Sequence, residues 1–309
     1  LGEPRVPAFT RDRASVSLKT MGSHTGPATT AVTRLVSQLP VASITSPSNP
    51  WLKRFRKALA GKETDLGFLL GLEGPKLVAE AIRSNLKIVA VLVSASGEKF
   101  LHRLGDAIAA REIRTLRTSD RQFRSVATTQ HPQGIAALAE PRQWSLAQCL
   151  ESGSGPAVVL CGLQDPGNLG TVIRSAEAFG GSGVVAIPGT VSAWNPKALR
   201  ASAGAALRLP IVEGVPVEEL LAELNRREMG LVIAVAHDAR GSAVTPEEID
   251  WRRPLALAIG SETGGVPETL AVAAQYSVWI PLKPPLESLN AAVAASILLY
   301  EAARQRRCC

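Results

Sequence analysis

The feature that most constrains this chain is a series of short, wholly apolar runs in its second half, separated by segments of helical periodicity. Residues 157–163, 184–187, 209–212, 231–236, 255–259 and 278–282 read as strands. Residues 168–179, 197–203, 216–227 and 289–304 read as helices between or after them. A strand that is apolar on both faces must be covered on both faces, so the pattern predicts an α/β fold with a mostly parallel sheet between helical layers. In such a sheet, functional loops gather beyond the carboxyl ends of the strands.

The first half reads differently. Residues 1–40 are rich in Ser, Thr, Pro and Arg without periodicity and are expected to form a flexible basic extension. Residues 41–140 alternate short strands (66–72, 88–93, 113–117, 134–140) with helices (from Pro50, 75–83, 98–110, 121–126), which predicts a small α/β domain. Residues 141–155 read as a linker, and residues 156–309 as a second domain. Ser48 or Asn49 can cap the helix that starts at Pro50.

The net charge is +7, and its distribution is more informative. Residues 1–60 carry Arg5, Arg11, Arg13, Lys19, Arg34, Lys53, Arg54, Arg56 and Lys57 against only Glu3 and Asp12, which suits phosphate contacts or a solvated helix face equally. Aromatics make up 4% of the chain, too few for a base-stacking single-strand platform. Cys149, Cys161, Cys308 and Cys309 match neither a zinc site nor a disulfide framework, so a reducing, cytoplasmic compartment is expected. No apolar run has the length of a membrane span and no secretory signal is read, although the chain begins at Leu1 rather than Met.

Three loops follow apolar strands. The first, Asp165 to Arg174, offers Asn168 as a helix cap, Gly170 for close approach, and Arg174 among Val172, Ile173, Ala176 and Phe179. That arginine asks for a carboxylate or phosphate partner; a surface or interface arginine reads equally well. The second, Ile259 to Pro267, sets Glu262 among glycines, either to hold a cation or substrate or as a solvent-facing turn. The third, Ile280 to Asn290, stiffens its approach with Pro281, Pro284 and Pro285 and offers Ser288 or Asn290 as a cap. No histidine falls in a catalytic or metal-ligand spacing, although His237 follows a strand and can line a pocket. P-loop, nucleophile elbow, dinucleotide fingerprint and paired-carboxylate metal patterns are absent from the sequence.

At these loops the sequence resembles the SpoU, or TrmH-like, branch of the SPOUT RNA methyltransferases. Asn168-Leu169-Gly170-Thr171-Val172-Ile173-Arg174 is similar to the first family motif and Gly260-Ser261-Glu262 with Gly265 to the second. Ile280-Pro281, Ser288-Leu289-Asn290 and the helix ending in Leu299-Tyr300-Glu301 are similar to the third. Asn195 to Ala205 is a further family-like stretch, and Ser46 to Asn49 with Phe68-Leu69-Leu70 and Glu73 to Val78 resemble the L30e-like substrate-binding domain often fused in front.

The resemblance implies a C-terminal segment threaded into a deep trefoil knot, an exception to the unknotted rule. It implies S-adenosyl-L-methionine held bent in that knot by Gly260, Ile280 and Leu289, with Ala236 beside it. It further implies a homodimer with its active site near the subunit interface, a structured RNA as substrate, and neither metal nor membrane as partner. Arg174 is the family's candidate for activating a ribose 2'-hydroxyl, either as a base in an unusual environment or by positioning hydroxyl and phosphate. Glu262 would orient Arg174 or the cofactor, while Asn168, Ser288 and Asn290 would hold substrate and loops. The chain departs from the family at Thr263, at Ala291-Ala292 and at the inserted Gly71-Leu72 before Glu73. The fused domain favours 23S ribosomal RNA over tRNA. The competing readings are a tRNA 2'-O-methyltransferase, a base-nitrogen acceptor, a SPOUT-fold RNA-binding protein without catalysis, and a metabolic α/β enzyme.

Overall fold

The computed structural model describes residues 41–151, 155–236, 242–261 and 264–307. The expectations for residues 1–40 and for His237, Glu262, Thr263, Cys308 and Cys309 lie outside them.

The first sheet has five strands: β1 (Val41–Ser43), β2 (Leu70–Glu73), β3 (Ile88–Ser94), β4 (Thr115–Thr118) and β5 (Ile135–Ala139), in the order β1-β4-β3-β5-β2. β1, β4 and β3 run parallel, and β5 is antiparallel to both β3 and β2. Around it lie α1 (Pro50–Leu59), α2 (Pro75–Arg83), α3 (Glu98–Ala110) and α4 (Asp120–Arg124). Asn49 caps α1 by accepting from the Trp51 amide at 2.9 Å, and Pro50 follows at the first helical position.

The second sheet is wholly parallel, in the order β11-β9-β10-β6-β7-β8. Its strands are β6 (Ala157–Cys161), β7 (Val184–Ala186), β8 (Ile211–Glu213), β9 (Gly230–Val235), β10 (Leu255–Gly260) and β11 (Tyr276–Trp279). The first sheet leads to it through α5 (Leu146–Cys149), and its helices are α6 (Pro166–Ala178), α7 (Pro196–Ala201), α8 (Val217–Arg226), α9 (Glu268–Ala273) and α10 (Ala291–Arg307). Alternation along β6 divides its side chains between two apolar layers: Val158 and Leu160 face one, Ala157, Val159 and Cys161 the other. The fully buried strands are the physical reason the sequence pattern was so uniformly apolar.

Several boundaries differ from the sequence expectations. The strand expected over 66–72 begins only at Leu70, because Thr64 and Gly67 pair across a tight turn first. The strand expected over 278–282 instead covers Tyr276–Trp279, in register with Val232 to Val235, which leaves Ile280 and Leu282 in the following loop. Asn168 is not the cap of α6. Asp165 is, accepting from the Asn168 amide at 2.9 Å with Pro166 in the first turn. Two short elements, β1 and α9, were not expected.

The inserted Gly71-Leu72 has a physical account. Gly71 sits in β2 directly beneath the end of α1, where a Cβ would stand 2.5 Å from the Ala58 carbonyl oxygen. The helix therefore seats backbone-on-backbone against the strand, and β2 keeps unbroken register with β5. Gly71→Ala should lower stability by about 1–3 kcal/mol, the usual range for overpacking, as measured by denaturant unfolding.

Candidate active site

Because all six strands of the second sheet run the same way, their following loops emerge along one edge. A cavity of ≈ 360 Å³ lies there, at the ends of β9 and β10 and under the loop that follows β11. Its wall contains Ala236, Gly260, Ile280 and Leu289, the residues singled out for the cofactor, together with Ser288. The remaining wall is aliphatic apart from Ser261.

The loop after β10 is folded tightly on itself. The Gly265 amide donates to the Ser261 carbonyl at 3.0 Å, and the Gly264 amide donates to Ser261 Oγ at 3.0 Å. A Cβ on Gly260 would lie 2.5 Å from the Gly265 carbonyl oxygen, and Gly265 itself has φ 61°. Main chain rather than side chain therefore forms this part of the wall, so a ligand can approach the backbone closely. Ser261 holds that turn, a role that its place in the motif did not reveal.

The first and third loops are joined by their asparagines. Asn290 Nδ2 donates to Asn168 Oδ1 at 3.1 Å. Asn290 Oδ1 meanwhile accepts from the Ala292 and Val293 amides at 3.0 and 3.3 Å, capping α10. Asn290 thus ties the start of α10 to the start of α6. The N-terminus of α6 is fixed in turn by Asp165, whose second oxygen accepts from Lys197 Nζ on α7 at 2.8 Å. That hydrogen bond, with the Asn168 amide, holds the Asp165 carboxyl below its usual value.

Arg174 and Ser288 are not drawn into this network. Ser288 is exposed at the cavity wall and Arg174 on the outer face of α6, neither with a hydrogen bond or ion pair among the described residues. Six residues of helix separate Arg174 from Asn168, about 9 Å along the axis, and it does not line the cavity. α6 packs against α10 through a 2.7 Å hydrogen bond between Ser175 and Ser296 and an edge-to-face contact of Phe179 with Tyr300. Burial pushes the thiols of Cys149 and Cys161 up to about 12, so neither supplies a nucleophile. Among the described residues there is no cluster of potential metal ligands, and no helix is long and apolar enough to cross a membrane.

The wall suits S-adenosylmethionine. Its volume lies within the range of about 300–1,000 Å³ typical of small-molecule pockets. Its aliphatic lining can take an adenine face, its exposed main chain can take polar edges, and none of its described wall residues is a cation that would repel a sulfonium.

Comparison with known proteins agrees with this geometry. Residues 155–300 match the SpoU rRNA methylase family and residues 72–145 match the RNA 2'-O ribose methyltransferase substrate-binding family. An uncharacterized tRNA/rRNA methyltransferase of Synechocystis is 32% identical over 86% of this chain and 95% of its own. The chain belongs to the SpoU family.

A second relative, the 23S rRNA (guanosine(2553)-2'-O)-methyltransferase RlmP of Bacillus subtilis, is 33% identical over 83% of this chain and 97% of its own. The AdoMet-bound rRNA methyltransferase of Sinorhizobium meliloti superposes with a TM-score of 0.72 at 28% identity, covering 86% of this chain and 98% of that one. This SpoU protein is accordingly an S-adenosylmethionine-dependent RNA ribose 2'-O-methyltransferase, with the SPOUT trefoil-knot fold behind a smaller mixed-sheet domain.

Gly260→Ala should weaken S-adenosylmethionine binding roughly tenfold or more, since the new methyl must displace the Gly265 main chain; equilibrium dialysis measures it. A pH effect follows from Asp165. Its folded-state pKa is lowered, so its stabilisation is complete above the unfolded value of about 3.9 and is lost as pH falls through the folded value. Asp165→Asn keeps the capping shape without the charge, so parent and variant should differ in thermal midpoint at pH 7 and converge towards pH 3.

Proposed function

We propose that this SpoU enzyme methylates a nucleotide of 23S ribosomal RNA, acts as a homodimer and works in the cytoplasm. The observation that carries the reading is the asparagine bridge between the first and third loops, made by Asn290 between Leu289 and Ala291 of the cavity wall. Similarity to the Bacillus 23S rRNA enzyme over nearly its whole length, substrate-binding domain included, supports the choice of RNA. Residues 41–140 are read as the L30e-like domain that holds the RNA, 141–155 as a linker, and 156–309 as the transferring domain. The reducing chemistry expected of the cysteines supports the compartment.

The homodimer rests on α10. Val293, Ile297 and Tyr300 recur on one face of that helix and are 47, 38 and 53% exposed, an apolar stripe without a cover in one chain. A second copy meeting it by a twofold axis would cover both stripes at once. Arg174 stands on the neighbouring α6, so the same contact would bring it from open solvent into an interface.

Bound S-adenosylmethionine supplies a methyl group already activated by its sulfonium. The chain's own contribution is to position the acceptor and favour loss of its proton. A 2'-hydroxyl is a weak nucleophile, and a guanidinium beside it lowers the cost of developing negative charge on the oxygen without itself losing a proton. Arg174 takes that role in this reading. Asn168 and Asn290 hold the two loops, Ser288 contacts the substrate, and Glu262 orients Arg174 or the cofactor. Gly260, Ile280, Leu289 and Ala236 hold the cofactor largely by main chain.

The test is tritium transfer from labelled S-adenosylmethionine to unmodified large-subunit rRNA and, separately, to bulk tRNA, followed by nucleoside digestion. A labelled 2'-O-methylnucleoside from rRNA, reduced by roughly a hundredfold or more in Arg174→Ala, is the expected result. Label in tRNA alone would move the substrate to that class; label in a base would overturn the acceptor. Ile297→Glu should sediment as a monomer with transfer largely lost, whereas an unchanged mass would overturn the α10 interface.

A further inference from the structure

The stretch Asn195 to Ala205 has no part in the cavity, yet it is where the two domains meet. α7 packs against β2 of the first sheet, and a Cβ on Gly204 would stand 2.7 Å from Glu80 Cγ on α2. Arg208 closes the seam. Its guanidinium donates to both oxygens of Glu177 on α6 at 2.6 and 2.7 Å, and to Glu80 at 2.6 Å. A charge-assisted fork thus links the two domains.

Beside this clamp lies a cavity of ≈ 560 Å³, formed by Glu73, Lys76, Glu80 and Arg83 of the first domain and Arg200 and Ala203 of the second. Its carboxylates are already committed. Glu73 accepts from the Thr128 amide and hydroxyl at 2.8 and 2.9 Å and also from Thr129. Glu80 accepts from Arg83 at 2.5 Å and from Arg208. Lys76 and Arg200 make no ion pair or hydrogen bond among the described residues, so the charge left over is cationic and comes from both domains.

We propose that this seam cavity is an RNA phosphate subsite, in which Lys76 and Arg200 grip the backbone between the substrate-binding sheet and the methyl-transfer site. The inference rests on the reading of the chain as an RNA methyltransferase and adds the path of the RNA. A guanidinium fork and an ammonium suit phosphodiester oxygens, and phosphate contacts fix register without reading sequence. α7 makes the subsite consequential. It carries Arg200 at the seam and Lys197 on Asp165, the cap of the helix that bears Asn168 and Arg174. A phosphate seated at the seam is therefore registered against the helix that positions the acceptor.

The experiment measures equilibrium binding of unmodified large-subunit rRNA and bulk tRNA against salt concentration, together with methyl transfer, for Lys76→Ala/Arg200→Ala. For the RNA that the parent methylates, Kd should rise roughly tenfold and the log–log salt slope should fall by about two. S-adenosylmethionine affinity should be unchanged. The charge-preserving pair Lys76→Arg/Arg200→Lys should restore the slope, which a merely structural role would not produce. A parental slope in the double alanine variant, while the parent still methylates RNA, overturns the subsite but leaves the enzymatic reading intact. An equal fall in Arg226→Ala/Arg227→Ala, two cations ion-paired to Glu223 on α8, overturns it in favour of net charge alone. Absence of transfer by the parent strikes the enzymatic reading instead.

Discussion

The contact on which the rest of the site depends is the backbone-on-backbone approach of α6 to α7 at Gly170. A Cβ there would lie 2.6 Å from the Ala201 side chain and 3.0 Å from the Ser202 amide, so the two helices seat at a distance only glycine permits. α6 holds Asn168, Arg174 and Glu177; α7 holds Lys197 and Arg200, and Arg208 follows in the next turn. The close fit makes one block of them. The Asp165–Lys197 pair, the asparagine bridge to α10 and the Arg208 fork all attach to that block. None of these surface pairs is worth much alone, because exposed ion pairs typically contribute about 0–1 kcal/mol. Their value lies in orientation, since each has one geometry available once the two helices are locked.

The α/β class was legible because burying both faces of a parallel sheet leaves only apolar residues in its strands, and six such runs leave little choice of architecture. The four residues chosen for the cofactor gather at one cavity for a related reason: parallel strands send their following loops to the same edge. Where the reading slipped, local signals competed. Asn168 looked like a cap, but Asp165-Pro166 carried the stronger signature, an acceptor followed by proline in the first turn. The apolar run at 278–282 hid a strand that ends at Trp279, because periodicity cannot tell a strand residue from a loop residue that closes a cavity. The elements β1 and α9 are too short for any periodic signal to build up.

What the sequence could not disclose is long-range and polar. Arg208 meets Glu80 across 128 positions, and nothing near either residue announces the other. The asparagine bridge spans 122 positions, and capping alone explained both of its members beforehand. Gly71 is the converse: it looked like a departure from a family pattern and turned out to be the residue that lets α1 lie flat on β2.

The wall of the cavity at the ends of β9 and β10 has a consequence for how such a chain can change over time. Where a pocket recognises its ligand through peptide groups and aliphatic surface, most substitutions alter neither the donors nor the shape, because every residue but proline presents the same amide. The surrounding sequence is then free to drift while the ligand stays the same. Innovation is pushed outward, to exposed side chains on the loops and at the seam. Such a protein can acquire new RNA targets readily and a new methyl donor hardly at all.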